Sequence, residues 1–139
     1  SELVDASDYF LFFGRVEAYK GLDNLIKAFS SYSGNRKLVI AGKGNLPNSR
    51  ELLDLVRGNK LIIVNRFIRD EEVRRLFEKA CCVVFPYISA TQVGPISIAY
   101  YFSKPVIVTG LYPFLENFNF KVPSGVVVSK MMFLLLPTH

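Results

Sequence analysis

Residues 9–29 read YFLFFGRVEAYKGLDNLIKAF, and this stretch decides the fold. Its first part, Tyr9 to Gly14, is an unbroken aromatic and aliphatic run with no polar alternation, the form of a strand buried on both faces. Its second part places Leu22, Leu25, Ile26 and Phe29 at i, i+3, i+4 and i+7, one face of an amphipathic helix. Gly14 and Gly21 punctuate the change of period.

The same sequence of forms recurs downstream. Lys37 to Gly42 (KLVIAG), Lys60 to Asn65 (KLIIVN), Cys81 to Pro86 (CCVVFP) and Pro105 to Thr109 (PVIVT) are further short apolar runs. Ser49 ahead of Leu52, Leu53 and Val56 marks a second helix. Val73, Leu76, Phe77 and Ala80 mark a third, with Asp70 as its expected N-cap and Glu71 and Glu72 in the first turn serving capping and solvation, not acid-base catalysis. Gly94 and Pro95 mark the start of a fourth, because proline is pre-set for the first helical position. Strands alternating with helices predict an α/β fold: a Rossmann-like, doubly wound parallel sheet in a single domain. A sixth strand is expected at Gly125 to Ser129, and the apolar run Met131 to Leu136 is too short to assign. The chain ends without an amphipathic helix to close the sheet, so residues 130–139 read as an atypical apolar tail that wants a partner surface.

Composition narrows the function classes. At 139 residues, half of them hydrophobic, the chain has enough for one core. The formal charge is +5 without any block of five or six like charges, which argues against a nucleic-acid arm and for cations gathered around a small anionic ligand. The single histidine, His139, is terminal, so histidine metal sites and a Ser-His-Asp arrangement within the fold are excluded. Cys81 and Cys82 are adjacent and, in a regular strand, point to opposite faces, so they read as core packing in a reducing compartment. Cys81 to Ser103 carries no charge, but Pro86, Thr91, Gln92, Gly94 and Pro95 break it as a membrane span. The acidic start lacks the pattern of a secretory signal, and the absence of an initial Met suggests an excised piece.

In doubly wound sheets ligands sit beyond the carboxyl ends of the strands, which selects the loops 14–20, 42–47, 65–69, 87–94 and 110–113. The first carries Arg15 and Lys20 between Gly14 and Gly21, a strand end and a helix start, which is anion-binding geometry; the alternative is that both cations are solvated surface charges. Thr91, Gln92, Val93 and Gly94 offer a second cradle ahead of a helix, or an ordinary capped connection. Two converging cradles fit a diphosphate. Gly42-Lys43-Gly44 only begins a dinucleotide fingerprint, and there is no Walker sequence.

Taken in order, Phe12-Phe13-Gly14-Arg15, Tyr19-Lys20-Gly21, Leu25-Ile26-Lys27-Ala28-Phe29, Leu38-Val39-Ile40-Ala41-Gly42-Lys43-Gly44, Asp70-Glu71-Glu72 with Leu76-Phe77, Val83-Val84-Phe85-Pro86 and Ser103-Lys104-Pro105-Val106-Ile107 resemble a known family. It is the C-terminal, nucleotide-sugar-binding half of family-four retaining glycosyltransferases with the GT-B fold. The resemblance implies that Arg15 and Lys20, at the family's G-R-x(4)-K-G positions, bind the donor diphosphate and stabilise the leaving group, which makes them the catalytic candidates. It implies donor contacts from Gly14, Gly42, Asn65, Arg66 and Phe67, with the 65–68 loop facing the base, and from Thr91, Gln92, Val93 and Gly94, which match a T-Q-x-G form found in some relatives. Where most members carry two glutamates, the spacing gives Ala90 and Ile98, so the contacts to the donor sugar depart from the family.

The resemblance further implies retaining hexosyl transfer from a UDP- or GDP-sugar to a glycan or lipid-linked acceptor in polysaccharide biosynthesis, without metal or cofactor. Residues 1–139 would then be the donor domain, expected to bind nucleotide sugar but not to turn over without an N-terminal acceptor domain. The implied location is cytoplasmic, at most peripheral at the inner face of a membrane. A non-catalytic nucleotide-binding domain and a degenerate fragment are the competing readings.

Overall fold

The structure, a computed structural model, describes residues 5–17, 21–85, 93–109, 127–129 and 132–135. Its elements in chain order are β1 (Tyr9–Phe13), β2 (Val16–Glu17), α1 (Asp23–Ser30), β3 (Leu38–Ala41), β4 (Gly44–Asn45), α2 (Arg50–Arg57), β5 (Leu61–Val64), α3 (Asp70–Lys79), β6 (Ala80–Phe85), α4 (Val93–Tyr101), β7 (Val106–Thr109), β8 (Val127–Ser129) and β9 (Met132–Leu135). Seven strands form one sheet in the order β5-β3-β1-β6-β7-β9-β8. The five apolar runs pair in parallel and reverse their order of addition at β1/β6. The sheet is therefore doubly wound, with a switch point beside β1.

Successive side chains of the inner strands feed two cores. Tyr9, Leu11, Val39, Ala41 and Val83 pack with Leu76 and Phe77 of α3 and Ala99 of α4. Phe12, Leu38, Ile40 and Val84 pack on the other face with Leu25, Ile26 and Phe29 of α1 and with Leu52 and Leu55 of α2. Two helices per face are what right-handed crossovers produce when the direction of winding reverses.

Several local expectations change. The register of β1 on β6 slips between Tyr9↔Ala80 and Phe10↔Cys82, a bulge that leaves Cys81 as the extra residue. Cys81 and Cys82 therefore both pack with the α1/α2 core instead of dividing between faces; both are free thiols. Burial pushes the Cys82 thiol pKa upward. The N-cap of α3 is Arg69, not Asp70, and Glu72 is buried instead of solvated. Helix α4 starts at Val93, so Val93 and Gly94 lie in its first turn and not in a preceding loop, and Pro95 is the third helical residue, still within the turn that makes no intrahelical N–H bond. At the far edge β8 and β9 form an antiparallel hairpin against β7, so the sheet there is not parallel and part of the apolar tail is a strand inside it. Among the described residues no helix is long and apolar enough to cross a membrane.

Candidate functional site

Beyond the carboxyl ends of β1, β3 and β5 lies an open cleft of about 700 Å³. Where β1 and β3 end, the backbone immediately docks on the next strand: Gly14 N–H donates to Ala41 O at 3.1 Å, and Gly42 N–H to Val64 O at 3.0 Å. Past these bonds the first two loops run side by side as β2 and β4, a two-stranded parallel ladder pairing Val16 with Gly44 and Glu17 with Asn45. A Cβ on Gly42 would collide with the Gly14 carbonyl, and one on Gly44 with the Val16 carbonyl, so the approach of the two loops requires glycine at both places.

This packing puts Arg15 and Lys43 on the same cleft, both exposed at its rim. Gly14 and Gly42 line it with bare backbone that can be approached closely, and Phe13 lines it too, with its ring edge-on to Phe77 at 5.4 Å. Lys43 and Asn45 were not among the expected site residues. The signal for them was the rule that strand ends hold the ligand, applied to the 42–47 loop with the same weight as to the loop carrying Arg15.

The loop after β5 forms the third wall. Asn65 accepts the Gly44 N–H through Oδ1 at 3.1 Å, joining this wall to β4. Arg66 forks onto Glu72, Nη1 to Oε1 at 3.0 Å and Nη2 to Oε2 at 2.8 Å, and Nη1 also donates to Phe67 O at 3.2 Å. Glu72 Oε1 accepts the Arg69 N–H at 3.1 Å as well, capping the start of α3. Hydrogen bonds from the Arg66 side chain and the Arg69 backbone bring the Glu72 carboxyl pKa down to about 2. Phe67, between these anchors, is 74% exposed on the cleft.

Of the expected site residues, the structure thus brings together Gly14, Arg15, Gly42, Arg66 and Phe67 around the cleft, with Asn65 holding its wall. Arg66 is already engaged in a two-bond ion pair with a buried carboxylate, which makes it a strut more than a ligand for an incoming anion. Lys20, Thr91 and Gln92 lie outside the described residues. The loop carrying Thr91 and Gln92 leaves β6, which is the neighbour of β1.

The model of the family described as Glycosyl transferases group 1 matches residues 1–130. No curated protein sequence matches the chain. Among solved structures, that of AviGT4, a glycosyltransferase involved in avilamycin A biosynthesis, is similar with a TM-score of 0.55 and 23% identity. The match covers 83% of this chain and 36% of AviGT4, so the chain spans little more than a third of that enzyme's length.

Proposed function

From its membership of the glycosyl transferases group 1 family, to which this chain belongs, we propose that it is the donor-binding part of a GT-B transferase and that its cleft takes the nucleoside diphosphate of a UDP- or GDP-sugar. The observation that carries this reading is the meeting of three successive strand ends, two of them held together by glycines, with Arg15 and Lys43 at one rim. Two cations beside glycine backbone that a ligand can approach closely, at the carboxyl edge of a parallel sheet, suit a polyanion.

Arg15 and, by the family resemblance, Lys20 hold the diphosphate and balance its growing charge as the glycosidic bond breaks; an electrostatic role of this kind strengthens in the transition state. Lys43 adds to the same field. Transfer of a hexose with retention to a glycan or lipid-linked acceptor completes the reading, with the acceptor surface supplied by another domain.

Titration calorimetry of the purified chain tests the donor half directly. UDP or GDP should bind saturably in the micromolar to millimolar range, roughly −8 to −4 kcal/mol. Free hexose should bind far more weakly, because the recognised charge is on the diphosphate. Absence of saturable heat with either diphosphate would remove this reading.

A further inference from the structure

The turn after β5 is built in an unusual way. Asn65 is tied to Gly44, Arg66 is forked onto Glu72 and bonded to the next carbonyl, and Ile68 is inserted into the α3/α4 core. Every residue around Phe67 is thus fixed, and the fixing holds a large apolar ring in water at 74% exposure. Hydrophobic burial alone would turn this ring inward. The glutamate at the centre of the arrangement is only 8% exposed, and both of its oxygens are committed to the turn. A forked ion pair whose carboxylate is buried while its guanidinium stays partly exposed is a device for fixing geometry more than a source of stability.

We infer that Glu72 is a positioning residue for an aromatic platform: through Arg66 it fixes the turn after β5 so that Phe67 stacks on the face of a nucleotide base entering the cleft. This rests on the nucleotide reading above. Phe67 lines the main cleft together with Arg15 and Lys43, and also the adjoining hollow bounded by Lys43, Asn45 and Asn65, so a base stacked beside it keeps its phosphates on the cleft that carries both cations. Aromatic stacking suits any base, since every base has a π-face. The positioning argument is therefore independent of whether the donor is a uridine or a guanosine nucleotide.

The sequence contains no tryptophan, so Phe67→Trp places a single indole at the rim and its emission reports stacking. In that background the nucleoside diphosphate that binds in calorimetry, and its free nucleoside, should both quench the emission saturably. Adding Glu72→Gln, or Arg66→Lys, which keeps the charge and loses the fork, should weaken both ligands by about threefold to tenfold. The two changes combined should cost no more than either alone, because they break one link. Circular dichroism should match the parent, and if Glu72→Gln does not fold, Arg66→Lys carries the test.

A free nucleoside has no phosphate, so its weakening separates platform geometry from charge. Tighter binding of the diphosphate by Glu72→Gln would mean that Glu72 acts by neutralising Arg66, and would overturn the proposal. Quenching and affinity unchanged in both variants would overturn it too. Failure of the nucleotide reading itself is distinguishable, since it appears as absent binding by the parent chain.

Discussion

At position 42 no side chain fits. Gly42 has φ of 145° and its missing Cβ faces the Gly14 carbonyl, so alanine there meets both a disfavoured backbone conformation and a backbone clash. Gly42→Ala is expected to separate the two loops, destabilise the chain by more than the ~1–3 kcal/mol of a single strained residue, and abolish diphosphate binding. Chemical denaturation read beside calorimetry checks both effects. A variant with parental stability would show that the loops do not need this approach. Tyr9 shows the opposite case, a polar group that the core accepts because it is used. Its hydroxyl donates to Leu76 O at 2.7 Å, reaching a carbonyl in the last turn of α3, and burial raises its pKa to about 12.

Helix α3 shows how an element can serve both fold and cleft. Its final carbonyls are met from outside, by Tyr9 at Leu76 and by Lys104 Nζ at Glu78 O, 3.0 Å away. Its start is met by Glu72, whose carboxylate caps the Arg69 N–H and grips Arg66. The acidic run Asp70-Glu71-Glu72 was readable as a helix start, but not which acid would be buried. That depends on Arg66, six residues earlier, folding back from a turn whose path no local pattern encodes. The bulge at Cys81 is equally silent, because it arises from pairing with β1 and not from the residues of β6.

Linkage gives the pH consequence of the buried carboxylate. A folded pKa of about 2 against an ordinary 4.5 means that the unfolded chain binds more protons in between. The stabilisation is therefore fully present above pH 4.5 and lost as pH falls from there through 2. Thermal melts should show this acid loss in the parent and a shallower one in Glu72→Gln. Equal acid slopes would mean that the carboxylate is not held as described.

Across the whole molecule, the five parallel strands and their helices were legible because buried strands and amphipathic helices have different periods. Strand β8 falls within the strand expected at 125–129, but its hairpin with β9 and the antiparallel pairing of β9 with β7 were not legible, since pairing is a tertiary choice that the local pattern does not carry. The pairing of the two glycine loops into β2 and β4 was hidden for a different reason: two residues per strand carry no period. What the architecture does fix is polarity, because parallel strands send all their loops of one kind to one edge. Arg15 and Lys43 stand at the carboxyl edge, whereas Lys60, exposed just before β5, stands at the amino edge. A ligand that binds only the folded chain at 100 times its dissociation constant adds about 2.7 kcal/mol. The bound diphosphate should therefore raise the melting temperature by several degrees. Arg15→Ala, by weakening binding roughly ten- to a hundredfold, should erase from about half to most of that shift at the same ligand concentration. It should leave the unliganded melt within about 0.5 kcal/mol of the parent, as exposed positions usually do. Lys60→Ala removes the same charge from the opposite edge and should keep the full shift. If loss of the shift follows Lys60 and spares Arg15, the diphosphate binds at the wrong edge of the sheet for a doubly wound fold, and the cleft described here is not its site.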